Sequence, residues 1–357
     1  MMQITPKENQ SQWVSSGIPI IAAVLALLLA AIPLAFAGAP ILEAYGHMIK
    51  GVFGSLFNFT EMLTRATPLI FTGLAAAIAF RAKLWNIGGE GQFYLGAMAA
   101  VWVGTGMIDG PPALMIPLVL FVGAFAGGLG MLGPAILKTR FGADEVVTSL
   151  LLNFIILIFV QMMLEGPLKD PMGLGWPQSE PIVDNAVLPQ LITRMRLHAG
   201  FVLAIGTAII AYIILAMTVW GFKIRAVGEN AAAAKHAGIG VNRTYLAVAM
   251  ASGALAGMAG VSEVAGLKGY LTADLSAGFG YTGIVVAMLA GLSPLGVILA
   301  SLYVASVFVG ADSMSRAIGV SSFIADLIVS MSLICVLLGG FFARFNLTFA
   351  KKQVDTK

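Results

Sequence analysis

Trp85, Asn86, Glu90 and Gln92 gather around three glycines in the run Gly88-Gly89-Glu90-Gly91-Gln92. Glycine lets a backbone or a ligand come close and reaches angles other residues avoid. The indole offers a stacking face, and the amides and carboxylate offer donors and acceptors. Such residue types bind and orient a small polar molecule. Two readings of the spacing stand side by side. In one, this is a broken helix lining a solute path, with Asn86, Glu90, Gln92 and Phe93 in contact with the solute; unwound backbone at membrane depth survives only when buried in protein or lining a wet cavity. In the other, it is a plain turn between two spans, in keeping with the nearby Arg81 and Lys83.

A second glycine-bearing interval, Gly278-Phe279-Gly280-Tyr281-Thr282-Gly283, is its counterpart. Tyr281 and Phe279 have flat faces that could stack on a ring; the alternative is a flexible re-entry turn with an interfacial tyrosine. Asp326 lies inside an apolar run, and an acid within a span is a functional candidate by default. It also stands near the run's end, where it could reach water. Glu263 is a similar candidate, and Asn153 reads first as polar glue between helices.

Other patterns point away from chemistry on this chain. Residues 133–139, GPAILKT, imitate a phosphate-binding loop, but Leu137 stands where the glycine before the lysine must be. Gly128, Gly130 and Gly133 match G-x-G-x-x-G inside an apolar run with no strand before it. His47, His198 and His236 have no metal-site spacing, and no nucleophile–base pair stands out. The chain is therefore read as no enzyme, with no catalytic residue, metal or cofactor of its own.

The elements that must position these residues are membrane helices. The 357 residues are 59% hydrophobic and 10% charged, with mean hydropathy +0.94; soluble domains carry about 25% charged residues. The net charge of +3 is spread over short loops and speaks to topology rather than to nucleic acid. Cys335, the lone cysteine, cannot form an internal disulfide. Apolar runs at 17–37, 66–80, 91–108, 112–137, 146–164, 200–219, 244–265, 280–293, 294–311 and 321–343 predict an all-α polytopic protein of about ten spans. The runs at 66–80 and 280–293 are short, and each lies beside a glycine-rich interval. Paired interruptions suggest a two-half pseudo-repeat with broken helices near the substrate path.

Lys/Arg placement predicts both ends in the cytoplasm. Residues 1–16 then form an N-terminal tail, and 344–357, with Lys351 and Lys352, a C-terminal tail. The first apolar run reads as a retained span rather than a signal peptide. Residues 43–63 read as an interfacial helix outside, and Asp109-Gly110-Pro111-Pro112 as a tight turn. Prolines at 167, 171, 177, 181 and 189 make 165–199 an irregular extracytoplasmic loop, a linker or a docking site in equal measure. Gly123 with Gly127, and Gly253 with Gly257, mark close helix packing. Residues 221–243 are polar, with Lys223, Arg225, Lys235 and Arg243 against Glu229. Within them GENAAAAKHAGI predicts a short helix, Asn230 at its N-cap and Gly238 at its stop.

Three stretches in order, FRAKLWNIGGEGQFYLGAMAA, RAVGENAAAAKHAGI and GFGYTGIVVAMLAGLSPLG, resemble the permease subunits of bacterial ABC importers. The family is the ribose/branched-chain amino acid permease family, and the N-I-G-x-E-G-Q form resembles its nucleoside branch. The resemblance covers roughly 66–343. It implies that 221–243 carries a coupling helix docking on a separate ATPase subunit, with Gly228, Glu229, Asn230, Ala234 and Gly238 as the contact region. It implies ATP and magnesium on that ATPase, a second permease subunit as homo- or heterodimer partner, an extracytoplasmic substrate-binding protein, and a place in the bacterial inner membrane. The expected cargo is a nucleoside. A pentose or branched-chain amino acid importer is the alternative, and an ion-coupled secondary transporter using Asp326 and Glu90 a further one.

Overall fold

The computed structural model describes residues 2–6, 12–36, 38–106, 108, 110–321 and 323–349. Asp109 of the proline turn, and Lys351 and Lys352 of the tail, lie outside them. The chain divides into two compact units, residues 1–51 with 307–357 and residues 52–306.

In the first unit a strand β1 (Met2–Pro6) pairs antiparallel with β2 (Phe345–Phe349), Met2 opposite Phe349. These are the two strands among the described residues, and they bring the two ends of the first unit together. The helix α1 (Gln12–Phe36) packs on α13 (Ile324–Arg344). Asp326 sits in the first turn of α13 and is exposed. There the positive end of the helix dipole favours a carboxylate.

The second unit begins within α2 (Ile41–Phe53) and runs through α3 (Leu56–Arg81), α4 (Gly89–Gly104), α5 (Pro112–Phe141), α6 (Glu145–Glu165), α7 (Gly200–Met217), α8 (Val219–Glu229), α9 (Ala231–His236), α10 (Val241–Glu263), α11 (Phe279–Leu289) and into α12 (Pro294–Ile318). Among the described residues, six helices are long and apolar enough to cross a membrane: 56–81, 112–141, 145–165, 200–217, 241–268 and 294–318. Shorter apolar stretches are Val24–Phe36, Phe279–Leu289 and Asp326–Cys335.

The run at 66–80 is not a short span. It is the buried C-terminal part of the 26-residue α3, which starts at a Ser55 cap whose hydroxyl accepts from Asn58 N–H. The expected helix at 43–63 accordingly divides between α2 and the first two turns of α3. Thr60, Thr64 and Thr67 hide in α3 by bonding back to the carbonyls of Phe57, Thr60 and Leu63, so their hydroxyls need no water.

The core is α10 laid against α3, α4 and α5. The two glycine pairs meet each other there: a Cβ on Gly127 or Gly253 would strike the other's carbonyl, and Gly257 abuts Gly123 and Gly96. Backbone contact of this kind is what small residues permit between membrane helices. Gly128, Gly130 and Gly133 all lie within continuous α5, as does Lys138, so neither phosphate-loop imitation forms a loop. Toward the periphery, α6 and α7 turn Leu151, Ile155, Ile158 and Ile210 outward, apolar faces suited to lipid.

Residues 165–199 are irregular, as the prolines predict, yet they are stitched down. Ser179 exchanges bonds with Leu271, Ile182 N–H donates to Gly269, Leu188 N–H to Ala265 and Val183 N–H to Gly104. The segment therefore caps the C-terminal ends of α4 and α10, together with the π-helical turn Val264–Lys268. Its end is pinned by His198, which is fully buried and packed against Gly266 and Gly200. Nδ1 accepts from Gly200 N–H at 3.2 Å, so the ring's proton is assigned to Nε2.

Burial lowers the His198 pKa from 6.5 to about 4. The unfolded segment thus binds a proton that the folded one refuses, and stability falls as pH drops from about 6.5 toward 4, then levels off. At roughly 1.4 kcal/mol per unit the loss is about 3 kcal/mol. Thermal unfolding in detergent between pH 7 and 4 should show this decline, and His198→Gln should flatten it; an unchanged slope in the variant would remove His198 as its source.

Candidate functional site: two helix starts meeting inside the protein

α3 ends at Arg81, and the chain does not regain a helix until Gly89. Lys83 takes a positive φ of 54° at the exit. Every backbone N–H from Ala82 through Gly88 nonetheless has an acceptor. Ala82 and Leu84 bond to Ala79, Lys83 to Phe80 and Asn86 to Leu84. Trp85 N–H donates to Glu145 Oε1, Ile87 to Ser149 Oγ and Gly88 to Asn86 Oδ1.

Asn86 is the centre of this arrangement. Its amide and that of Gln92 face each other and exchange bonds of 2.8 and 2.9 Å. Asn86 Nδ2 also donates to Ser252 Oγ at 2.9 Å, and Ser252 donates to the Ala75 carbonyl. Two donors and two acceptor positions are all an asparagine amide has, and all four are used. Gly88 lies under the pair, where a Cβ would press on Gln92 Nε2. From α6, Asn153 completes the set: Oδ1 accepts from Gly91 N–H at 2.7 Å, while Nδ2 donates to the Ile87 carbonyl and to Tyr281 Oη.

The start of α11 meets the start of α4 at this point. Gly278, with φ 79°, precedes α11, and the Ser276 hydroxyl accepts from Gly278 and Phe279 N–H. Gly280 N–H donates to Glu90 Oε2 at 2.7 Å, and a Cβ on Gly280 would overlap Glu90 backbone. The Glu90 side chain thus faces the first turn of α11, where N–H groups have no partner within the helix. The rings of Phe93 and Phe279 pack with centroids 6.1 Å apart. Tyr94 Oη donates to the Ala273 carbonyl and accepts from Ser276 N–H.

The structure thus brings Asn86, Glu90, Gln92, Phe93 and Tyr281 to one place. It does not give them equal access. Asn86, Glu90 and Gln92 are 3%, 5% and 1% exposed and Phe93 is closed off, whereas Tyr281 is 38% exposed. Glu90 and Phe93 hold the two helix starts together, Asn86 and Gln92 tie the interruption to α10 through Ser252, and Tyr281 presents a ring at the edge. Ser252, Ser149, Ser276 and Asn153 belong to the same network. Of these, Asn153 stood out in the sequence as an amide in an apolar run; the serines carry no signal without their partners. Glu263 is buried at the end of α10, away from this network along the helix.

The region 221–243 lies close to the same interruption. Asn230 is at once the end of α8 and the N-cap of α9, its Oδ1 accepting from Ala233 N–H at 3.0 Å. Gly238 takes φ 80° after α9. Among the expected contact residues, Glu229, Asn230 and Gly238 are exposed, while Gly228 and Ala234 are buried within the chain. Ala232, Ala233, Lys235 and His236 supply further open surface of α9. Gly228 rests directly on the Arg81 carbonyl, with no room for a Cβ. Arg81 in turn donates to the Leu292 carbonyl at 2.9 Å, in the turn between α11 and α12. Lys138 of α5 pairs with Glu145 at 2.6 Å, the carboxylate that also holds Trp85 N–H.

Fold and site together define a polytopic helical membrane protein in which two interrupted helices meet and share a buried polar network. The sequence model described as Branched-chain amino acid transport system / permease component matches residues 58–337, and the chain belongs to that family. It is a permease component of a transport system and not an ATPase. The chain is 35% identical to the guanosine ABC transporter permease protein of Bacillus subtilis, covering 94% of this chain and 97% of the relative. It is 33% identical to the glucose ABC transporter permease protein of Haloferax volcanii, over 98% and 94%. It is 34% identical to the nucleoside ABC transporter permease protein of Lactococcus lactis subsp. cremoris, over 84% of each. No solved structure matches.

Because the Asn86 and Gln92 amides satisfy each other, their losses should not add. Replacing either with alanine leaves the other's buried groups unpaired, at about 1–3 kcal/mol. The double variant should cost less than the sum of the singles, by on the order of 1 kcal/mol, in detergent unfolding. Strict additivity would show that the pair does not act as a unit.

Proposed function

We propose that the chain is the membrane permease subunit of an ATP-driven ABC importer whose cargo is a nucleoside. The observation that carries this reading is the contact of Gly228 with Arg81. It joins the exposed α9 surface to the interruption that feeds α4, so a push on α9 has a short route to the junction of α4 and α11. Two relatives named for guanosine and nucleoside transport support the cargo, and the open Tyr281 ring suits a flat base.

In this reading a separate ATPase binds ATP and magnesium and docks on Glu229, Asn230 and the outer face of α9. Gly228 and Ala234 shape that surface from within. A second permease subunit completes the pore, and an extracytoplasmic binding protein delivers solute to the side covered by 165–199. There Met172, Leu174 and Trp176 project from the segment, each more than two-thirds exposed. We count ten crossings in the bacterial inner membrane by adding α1, α4, α11 and α13 to the six long helices. The tails 1–16 and 344–357 then lie in the cytoplasm, and the two interruptions form a pseudo-repeat. Tyr281 touches the solute, while Asn86, Glu90, Gln92 and Phe93 set the path's shape from behind it.

Uptake of labelled guanosine and uridine tests the cargo, in a strain whose other nucleoside transporters are removed. Deleting this permease should abolish uptake, and excess unlabelled nucleoside, but not ribose, glucose or leucine, should compete in the intact strain. Undiminished uptake after deletion would overturn the reading, and competition by a sugar alone would move the cargo to that sugar.

A further inference from the structure

A cavity of about 540 Å³ opens on the side of the second unit between α7, α8 and α10, with Ile78 of α3 at its base. Its walls are Ile210, Ile214 and Leu215 of α7 and Ile224 of α8, and its floor is Ala247, Ala251 and Ala254 of α10. Alanines at this i, i+4, i+7 spacing form one smooth strip along a helix. The lining is almost wholly apolar, and the two hydroxyls in it belong to Thr207 and Thr218. Thr218 donates to the Ile214 carbonyl and Thr207 to the Leu203 carbonyl, so neither offers the cavity a free proton. Nothing here would recognise a polar solute.

The cavity's length and its ends indicate what does fit. Along α7 the lining runs from Thr207 to Thr218, about 16 Å at 1.5 Å per residue. That is about half of a 30 Å hydrocarbon core, the depth of one leaflet. One end is marked by Trp220, where the apolar run of α7 has just stopped and the basic stretch begins. Tryptophan prefers this boundary between hydrocarbon and headgroups. Lys223 Nζ stands over the Trp220 ring, 5.6 Å from its centroid. Arg225 turns one N–H to the Leu215 carbonyl, and Lys223 is the cation that stands against the Trp220 ring at the mouth.

We infer that this groove holds one acyl chain of an anionic phospholipid, with the tail on the alanine strip and the phosphate beside Lys223 and Trp220. An acyl chain matches the lining, one leaflet matches the length, and a negative headgroup matches the charge at the open end. A single lysine near a headgroup contributes about 1 kcal/mol, a roughly fivefold preference for an anionic over a zwitterionic lipid.

Native mass spectrometry of the intact permease complex in mild detergent tests this, with phosphatidylglycerol and phosphatidylcholine as probes. The wild-type complex should bind phosphatidylglycerol about fivefold more tightly at one site per chain. Lys223→Gln should remove that preference, and Lys223→Arg should keep it. Ala251→Trp, which fills the floor, should remove the bound lipid while the complex stays assembled. An unchanged preference in Lys223→Gln would overturn the inference without requiring the filled variant to fold. Loss of the second permease subunit rather than of lipid from Ala251→Trp would also overturn it, and would give the groove to that subunit.

Discussion

Unwound backbone inside a membrane protein must find all its hydrogen bonds within the protein, because lipid offers none. The N–H groups of the seven residues from Ala82 to Gly88 all find acceptors within the protein without a helix. Four of their N–H groups reach carbonyls nearby in the chain. The other three reach side chains: Glu145, Ser149 and Asn86 itself. Two of those acceptors stand on α6, so that helix is held against the interruption by the interruption's own requirements. Ser252 extends the same requirement to α10, and the glycines at 123, 127, 253 and 257 bring α10 close enough to α5 to place it.

Order at this point has a consequence for how the second interruption is placed. Glu90, one residue into α4, accepts from Gly280 N–H in the first turn of α11, and Gly280 and Gly89 let backbone touch backbone there. The starts of α4 and α11 are therefore fixed to each other more directly than either is to its own preceding helix.

The sequence displayed much of this and hid the rest for identifiable reasons. The glycine intervals, the short helix with Asn230 and Gly238 at its ends, and the two glycine pairs were legible because each is local: a cap, a stop, a spacing of four. The start of α3 was missed because hydropathy does not see threonines that bond back to their own helix. The partners of Asn86 were out of reach because Ser252 lies 166 residues away and is an ordinary residue on its own. Burial was the harder part. An amide in a glycine-rich interval looks the same whether it faces a solute or another amide, and only the arrangement of Gln92 and Ser252 tells Asn86 apart from a ligand-facing group. In the basic segment, likewise, composition alone did not reveal that Gly228 and Ala234 face inward while Glu229 and Lys235 face out.

The contact of Gly228 with Arg81 is where the docking surface and the interruption become one mechanism in the proposed importer. Its most direct test is the ratio of ATP hydrolysed to nucleoside transported, measured on reconstituted wild-type and Gly228→Ala transporters of equal assembly. The account predicts that the added methyl separates the two processes, with hydrolysis continuing while transport per ATP falls about tenfold or more, equivalent to about 1.4 kcal/mol of lost coupling. A ratio equal to that of the wild type, in an assembled complex, would contradict it.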